Sequence, residues 1–558
     1  MVIDEQDTQC GYGKMTSNAD MKLAEREYRV FGPPGTGKTR WIMNSIKSAR
    51  EKYDGYDIFI TSFTKAAAQE IVYRVSMDSK QNKSGGSLLP ESSIGTLHAH
   101  CYRAIGNVEL AEKHTEEFSK EFPSMALVAS SDLDDPYQLE SGKAQGVADY
   151  QEMNRLRGMM IPMEEWPLHI QMLNDAWTEW KDSNGLMDFT DLLETALYNF
   201  DTAPNDPRVG FVDEAQDLTP LQFALIRKWA RHMDRVVIVG DEDQCLYSFI
   251  GASPDSMLYP VLPQENLRTL TNTYRLPRAI VEWSQNLITK VERRYPKDIV
   301  ARTEGGEVRY GNASTKDPWP LLQMLEEDEA KGRSSMILAS CSYMLNPIIQ
   351  MLRESGVAFH NPYRKTHGSW NPLRVSSKAG GTAVDSVLAF FESADNNTWV
   401  VEDVRKWTKF VKADAGFIRG SKKRLKEEDY VDPSEIFNSN VAMMFGMGTS
   451  DEKLRWFMQN LTSEGRRRLD FPLSIALKNR ANLGKTPRIT IGTIHSVKGG
   501  EADSVYVFPD MSPQQWREYN DTGLDTLRRL YYVAGTRAKE TLTLCSPSYG
   551  VPAFPLYN

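Results

Sequence analysis

The 558-residue sequence predicts an α/β protein with two parallel sheets, each flanked by helices and interrupted by a mainly helical insertion. Three observations carry that prediction. An apolar strand at Tyr28–Phe31 runs into a glycine-rich loop and a helical pattern at Arg40–Arg50. Two further apolar strands, Val209–Val212 and Val236–Val239, each end in a knot of carboxylates. The same texture returns late, where Arg488–Ile491, Val505–Phe508 and Thr541–Cys545 read as strands and Leu527–Lys539 reads as a helix. Between these blocks lie 98–199 and 380–486, rich in Trp, Met and charge, which read as helical insertions rather than continuations of the sheets. Glycine-rich His367–Thr382 reads as a hinge and charged Lys422–Asp429 as an exposed loop.

Each strand or loop earns its place by chemistry. Gly32-Pro33-Pro34-Gly35-Thr36-Gly37-Lys38-Thr39 is G-x-x-x-x-G-K-[ST] set between a strand and a helix. Glycines at 32, 35 and 37 let backbone N–H groups, including that of Thr36, wrap phosphates. The helix N-terminus adds partial positive charge, Lys38 reaches β/γ oxygens, and the Thr39 hydroxyl holds Mg²⁺. The loop therefore calls for ATP and Mg²⁺ as bound species. Asp213-Glu214-Ala215-Gln216-Asp217 follows the second strand, and Gly240-Asp241-Glu242-Asp243-Gln244 the third. An acidic pair after a strand is often only a solvated loop. Beside a phosphate loop, however, neighbouring strand ends must supply a metal-binding acid and a water-activating group. Asp213 fits the first role, Glu214 the second, and Gln244 the sensing of the γ-phosphate.

Composition narrows the field further. A length of 558 residues favours about 3–4 domains. The chain is 41% hydrophobic and 25% charged, with no run of 18 apolar residues and no secretory apolar segment. These features predict no membrane partner and a cytoplasmic or nucleoid-associated location. The cysteines at 10, 101, 245, 341 and 545 form no CxxC pair, which argues against a disulfide framework or structural zinc. A net charge of −9 excludes a uniformly basic nucleic-acid binder, although it leaves a local basic channel open.

The order of further blocks resembles the superfamily 1 helicases of the UvrD/Rep/PcrA type, which are DNA-stimulated ATPases. Thr61–Ala68 looks like that family's motif Ia and Gly95–His100 like Ib, while Asp188–Leu193 resembles the segment ahead of Walker B. Asp213–Asp217 is the DEAQD box and Gly240–Ala252 resembles motif III. Asn272–Arg275 looks like motif IV, Thr493–Glu501 like motif V, and Tyr532–Ala538 like motif VI. The resemblance implies two RecA-like P-loop NTPase domains: 1A at 1–97 and 200–278, and 2A at 279–379 and 487–558. It assigns 98–199 to insertion 1B and 380–486 to insertion 2B. It further implies that Arg275 and Arg537 approach the γ-phosphate from the second domain, that Tyr274 and Arg40 sandwich adenine, and that Glu501 accepts from the ribose. Phe63, Tyr247 and Phe249 would stack bases, and Thr64, Thr96, His98, Thr493 and His495 would contact the strand. The implied partners are single-stranded and tailed duplex DNA.

Motif V, the Asp188–Leu193 block and the YVAGTRA run resemble the 3′→5′ group of that family, which implies movement in that direction. An ATPase that clears or senses DNA without processive unwinding would carry the same motifs. Several positions depart from the pattern. Gln6 and Gln9 are far from Lys38 for an adenine-reading glutamine, Ile250 stands in place of an arginine, and Gly500 replaces an apolar residue. Only residues 539–558 follow motif VI, too few for an added C-terminal domain. His98-His100-Cys101 lacks a fourth ligand for a metal site. The basic runs Lys422-Lys423-Arg424 and Arg466-Arg467-Arg468 read as solvated faces.

Overall fold

The computed structural model describes residues 25–81, 88–106, 108–127, 145–364, 370–373, 382–425, 430–521 and 523–556. Gln6, Gln9, Cys10, most of the expected hinge and residues 426–429 of the expected loop lie outside them. The chain forms two compact units, Met1–Arg309 with Met511–Leu542 and Tyr310–Asp510 with Thr543–Asn558.

The first unit is built on a six-stranded sheet comprising β1 (Glu27–Phe31), β2 (Ile58–Ser62), β3 (Ile94–Thr96), β4 (Val209–Asp213), β5 (Arg235–Gly240) and β6 (Leu267–Thr269). The spatial order is β3-β2-β4-β5-β1-β6, and each neighbouring pair is parallel. β2 and β4 are buried along their whole length, which is why they read as continuous apolar runs and not as alternating ones. Side chains alternate between two cores: Val30, Ile60, Phe211 and Val239 pack on one face, and Phe31, Phe59, Val212 and Ile238 on the other. Because Phe31 pairs with Gly240, and Ser62 with both Asp213 and Thr96, the C-terminal ends of these strands share one edge.

Helices α1 (Lys38–Arg50), α2 (Lys65–Gln81) and α3 (Leu97–Ile105) leave that edge directly. The first insertion follows with α4 (Gln145–Gly158), α5 (Leu168–Asn184) and α6 (Phe189–Asn199), closed over Phe118, Met153, Trp177 and Trp180. Asp188 caps α6 by accepting from the Asp191 amide, and the Asp191 carboxylate accepts from the Asp188 amide in return. The same Asp188 carboxylate takes Arg157 at 2.8 Å, Lys181 at 2.6 Å and the Trp177 indole at 2.9 Å. Burial alone would raise its pKa, but the two cations hold it down to about 2. The Asp188–Leu193 block thus fixes the insertion's helices to one another. Helices α7 (Pro220–Ala230) and α8 (Arg278–Ile288) complete this part of the unit.

A second six-stranded sheet comprises β7 (Glu307–Gly311), β8 (Ser335–Ala339), β9 (Phe359–His360), β10 (Ile489–Thr493), β11 (Ala502–Val507) and β12 (Ala538–Cys545), in the order β9-β10-β8-β11-β12-β7. β8 runs parallel to both β10 and β11. The 380–486 stretch is helical where described, including α9 (Ala383–Asp395), α10 (Val401–Thr408) and α11 (Ser463–Asn479). Its aromatics form a core, with Phe390 stacked on Phe457 at 4.1 Å and Trp407 edge-on to both.

Two expectations need correction. The helix read at Leu527–Lys539 is α12 (Leu524–Gly535), and β12 already begins at Ala538. Thr536, whose hydroxyl donates to the Tyr532 carbonyl at 2.8 Å, closes the helix and leaves Arg537 in the turn. Lys422 is not solvated: its ammonium donates to the carbonyls of Thr408 at 3.0 Å and Val411 at 2.9 Å and lies over the Phe417 ring. Arg466, Arg467 and Arg468 are exposed as expected. The two compact units divide the chain differently from the domain scheme that the resemblance implies, with residues 279–309 and 511–542 in the first unit. Among the described residues, no helix is long and apolar enough to cross a membrane.

Candidate functional site

The loop after β1 has the shape its sequence calls for. Gly32 donates to the Gly240 carbonyl at 2.9 Å, tying the loop to β5, and the Thr36 hydroxyl donates to the Pro33 carbonyl at 2.8 Å. Gly35 has φ +75°, and a Cβ there would lie 2.7 Å from the Thr273 hydroxyl. Gly37, also left-handed, caps α1. Lys38 curls back to the Gly32 carbonyl at 3.1 Å, so the ammonium stands over the loop's hollow. The segment after β6 closes on the loop from the other side. Tyr274 donates its amide to the Gly35 carbonyl at 2.8 Å, and the Thr273 hydroxyl donates to that of Pro34 at 2.8 Å. Tyr274 is 64% exposed; its ring and the exposed Arg40 both flank Gly37, leaving a flat face open beside the loop.

The acids sit at the ends of β4 and β5. Asp213 is buried, and burial together with the charge of Glu214 pushes its pKa up to about 7, against the pull of Lys38. Glu214 adopts φ +51°, a left-handed conformation that costs a non-glycine residue of order 1–3 kcal/mol and turns its carboxylate out of the strand line. Gln216 Nε2 donates to Glu214 at 2.5 Å, while Gln216 Oε1 accepts the Asp241 amide at 2.9 Å. One amide thus spans the two strand ends. Gln244 Nε2 donates to Asp241 Oδ2 at 2.7 Å, and Gln244 Oε1 accepts from Arg537 Nη2 at 3.0 Å. Arg275 Nη1 donates to the Thr536 carbonyl at 3.3 Å. Lys38, Asp213, Glu214, Gln244, Arg275 and Arg537 therefore belong to one compact unit.

The donor set fits a hard cation. Thr39 offers a hydroxyl oxygen and Asp213 a carboxylate whose charge is poorly tolerated without a positive partner. A second acidic group, Asp241, Glu242 and Asp243, has ligand oxygens within 4.8 Å of one another. A cation already occupies its centre: Lys297 Nζ lies 2.8, 2.5 and 3.0 Å from the three carboxylates. Arg294 holds Asp243 as well, at 2.8 Å. Sequence reasoning missed Lys297, Arg294 and Gln216. Three acids in a row at a buried strand end demand cations, but nothing in the sequence says which distant basic residues supply them.

The residues expected to face the strand divide into two groups. Phe63, Tyr247 and Phe249 form a row, with ring centroids 5.0 and 5.8 Å apart; Tyr247 is buried between two half-buried rings. Thr64 is exposed, with its hydroxyl accepting from the Ala67 amide at the start of α2. His98 is half-buried edge-on to Phe189, and burial, aided by Lys65, lowers its pKa to about 4, so the ring is neutral. The Thr96 hydroxyl caps α3. His100 is bound to the Ile60 carbonyl and burial pushes the Cys101 thiol up to about 12, so neither is poised as a metal ligand.

In the second unit, Thr493 is fully buried and its hydroxyl accepts from the Ser496 amide at 3.2 Å, which makes it a cap of the turn after β10. His495 is also buried, while Glu501 is exposed. At Gly500 a Cβ would lie 2.7 Å from Cζ of the exposed Tyr363 ring. Ile250 sits in a short turn that packs on α4, its carbonyl 3.5 Å from where a Gly158 side chain would begin.

A phosphate loop on a parallel sheet, with acids on adjacent strand ends, defines a P-loop NTPase. Residues 16–260 match the UvrD/REP helicase N-terminal domain and residues 449–549 the UvrD-like helicase C-terminal domain. The chain belongs to the UvrD/Rep/PcrA type of superfamily 1 helicases. Among its relatives, the ATP-dependent DNA helicase PcrA of Staphylococcus aureus is 21% identical over 94% of this chain and 81% of its own length. The ATP-dependent DNA helicase UvrD2 of Mycobacterium bovis is 24% identical over 57% of this chain and 47% of its own length. A protein of the same name from Mycobacterium tuberculosis matches equally.

Proposed function

We propose that this chain is a 3′→5′ single-strand DNA translocase and helicase that couples ATP hydrolysis to duplex unwinding. The observation that carries the reading is the hydrogen-bonded continuity from Glu214, through Gln216, Asp241 and Gln244, to Arg537, beside the phosphate loop. In this reading Gly32, Gly35, Thr36, Gly37 and Lys38 cradle the phosphates, Tyr274 and Arg40 take adenine, and Glu501 takes the ribose. Thr39 and Asp213 would hold Mg²⁺, which when bound neutralises charge on the β/γ oxygens. Glu214, with its left-handed backbone and its carboxylate held by Gln216, takes the proton of the attacking water. Gln244 meets the γ-phosphate, and Arg275 and Arg537 stabilise the charge that develops there. The resemblance's domain scheme places 1A at 1–97 and 200–278, 1B at 98–199, 2A at 279–379 and 487–558, and 2B at 380–486.

Phe63 and Phe249 supply stacking faces that do not discriminate sequence, with Tyr247 as the buried ring between them. Thr64 and His98 line the same strand edge, while Thr96, Thr493 and His495 hold turns from which backbone groups reach the strand. Base stacking is worth about 1–3 kcal/mol per base. Phe249→Ala should therefore raise the oligonucleotide concentration needed for half-maximal ATPase stimulation about tenfold. The KM for ATP should stay constant. Unchanged stimulation would return Phe249 to core packing. A complete absence of stimulation by any oligonucleotide in the parent protein would overturn the DNA-motor reading.

A further inference from the structure

The segment that follows α8 reaches into the candidate site although no part of it belongs to the motifs described above. Tyr295 stacks on Phe31, the last residue of β1, with ring centroids 4.2 Å apart and planes 7° off parallel. Its amide donates to Glu242 Oε1 at 2.7 Å. Two residues on, the Lys297 ammonium is wholly buried; it donates to Asp241 Oδ1 at 2.8 Å and Glu242 Oε1 at 2.5 Å and pairs with Asp243 at 3.0 Å. Arg294 forks onto the Asp243 carboxylate at 3.1 and 2.8 Å.

Asp241 is the pivot of this cage. Its amide donates to Gln216, whose other end holds Glu214; its Oδ1 takes Lys297; its Oδ2 takes Gln244. An ionised carboxylate can only accept, so Gln244 must turn its NH₂ group toward Asp241 and its carbonyl oxygen outward. The outward oxygen is the atom that receives Arg537. The chain Lys297–Asp241–Gln244–Arg537 thus fixes which way a side-chain amide points. The charge arrangement requires the ammonium. Three carboxylates lie within 4.8 Å of one another in a buried site, and without Lys297 at least one would be protonated or displaced.

We infer that Lys297 is a positioning residue for ATP hydrolysis: by holding the Asp241 carboxylate in place, it sets the amide of Gln244 and through it the Arg537 guanidinium. The inference rests on the proposed roles of Gln244 and Arg537 at the γ-phosphate. Arg294 supports it from the far side by sharing Asp243 with Lys297, at 2.8 and 3.0 Å.

Lys297→Met keeps the length of the side chain and removes the charge. In the full chain it should lower the kcat of DNA-stimulated ATP hydrolysis about ten- to a hundredfold with the KM for ATP within about twofold, and Lys297→Arg should recover part of that loss. Affinity for a non-hydrolysable ATP analogue should match the parent. The double variant Lys297→Met with Glu242→Gln removes one negative charge along with the positive one and so protects folding. Its kcat should stay low, because the link to Asp241 is still missing. Asp241→Asn reads the same link from the other end and should show the same split of kcat from KM. The inference is overturned if folded Lys297→Met turns over ATP at the parent rate, or if the double variant regains it, which would make Lys297 a charge-balancing residue only. Loss of turnover in Arg537→Ala alongside normal turnover in Lys297→Met would sink this inference while leaving the proposed function standing.

Discussion

Glu214→Gln is expected to bind ATP with near-parent affinity and to slow its hydrolysis by about 10²–10⁴-fold, whereas Lys38→Ala is expected to abolish hydrolysis. The two differ because the groups act at different moments. In the proposed mechanism Lys38, tethered to the Gly32 carbonyl over the loop's hollow, would hold the phosphate oxygens in the bound nucleotide and most strongly as charge develops on them. Glu214, left-handed in its backbone and held by Gln216 at 2.5 Å, would in that mechanism act only when water attacks. The amide of the glutamine variant cannot take the proton, yet it fills the same space. Single-turnover hydrolysis alongside equilibrium ATP binding separates the two effects. A Glu214→Gln protein that hydrolyses ATP at the parent rate would remove Glu214 from the mechanism.

Arg537→Ala should cost about 10³–10⁵ in kcat, the range seen for an arginine that stabilises a transferring phosphoryl group. Arg537 is buried in the turn between α12 and β12, with its Nε donating to the Val533 carbonyl at 2.9 Å and one Nη2 on Gln244. Its planar fork makes both contacts at once, so Arg537→Lys, which keeps the charge and loses the fork, should recover little. Nucleotide affinity should change far less than turnover. Equal losses in affinity and turnover would make Arg537 a ground-state binder.

Much of the site was legible because its chemistry is carried by local runs. The phosphate loop, the DEAQD box and the GDEDQ turn each follow a strand that a short apolar stretch announces, and in a parallel sheet those strand ends must share an edge. Boundaries were less legible. The helix before Arg537 continues as a pattern through Lys539, whereas the Thr536 hydroxyl ends it sooner by bonding to the Tyr532 carbonyl. Long-range charge pairing was not legible at all. Lys297 is 56 positions from Asp241, and no periodicity links them. Lys422 looked like part of a solvated basic run because its two carbonyl partners, on Thr408 and Val411, leave no mark in a sequence. The Tyr363 ring beside Gly500 leaves no mark there either.

The central claim is that ATP turnover at the phosphate loop drives directed movement along one DNA strand. The most direct measurement follows strand separation and ATP hydrolysis together, with Mg²⁺, on duplexes carrying a 3′ or a 5′ single-stranded tail. The account predicts that the 3′-tailed duplex is unwound as ATP is consumed and the 5′-tailed duplex is not, with Glu214→Gln inactive on both. Unwinding of the 5′-tailed duplex alone would reverse the proposed direction. Tail-stimulated hydrolysis with both duplexes intact would contradict the claim and leave an ATPase that senses or clears single-stranded DNA.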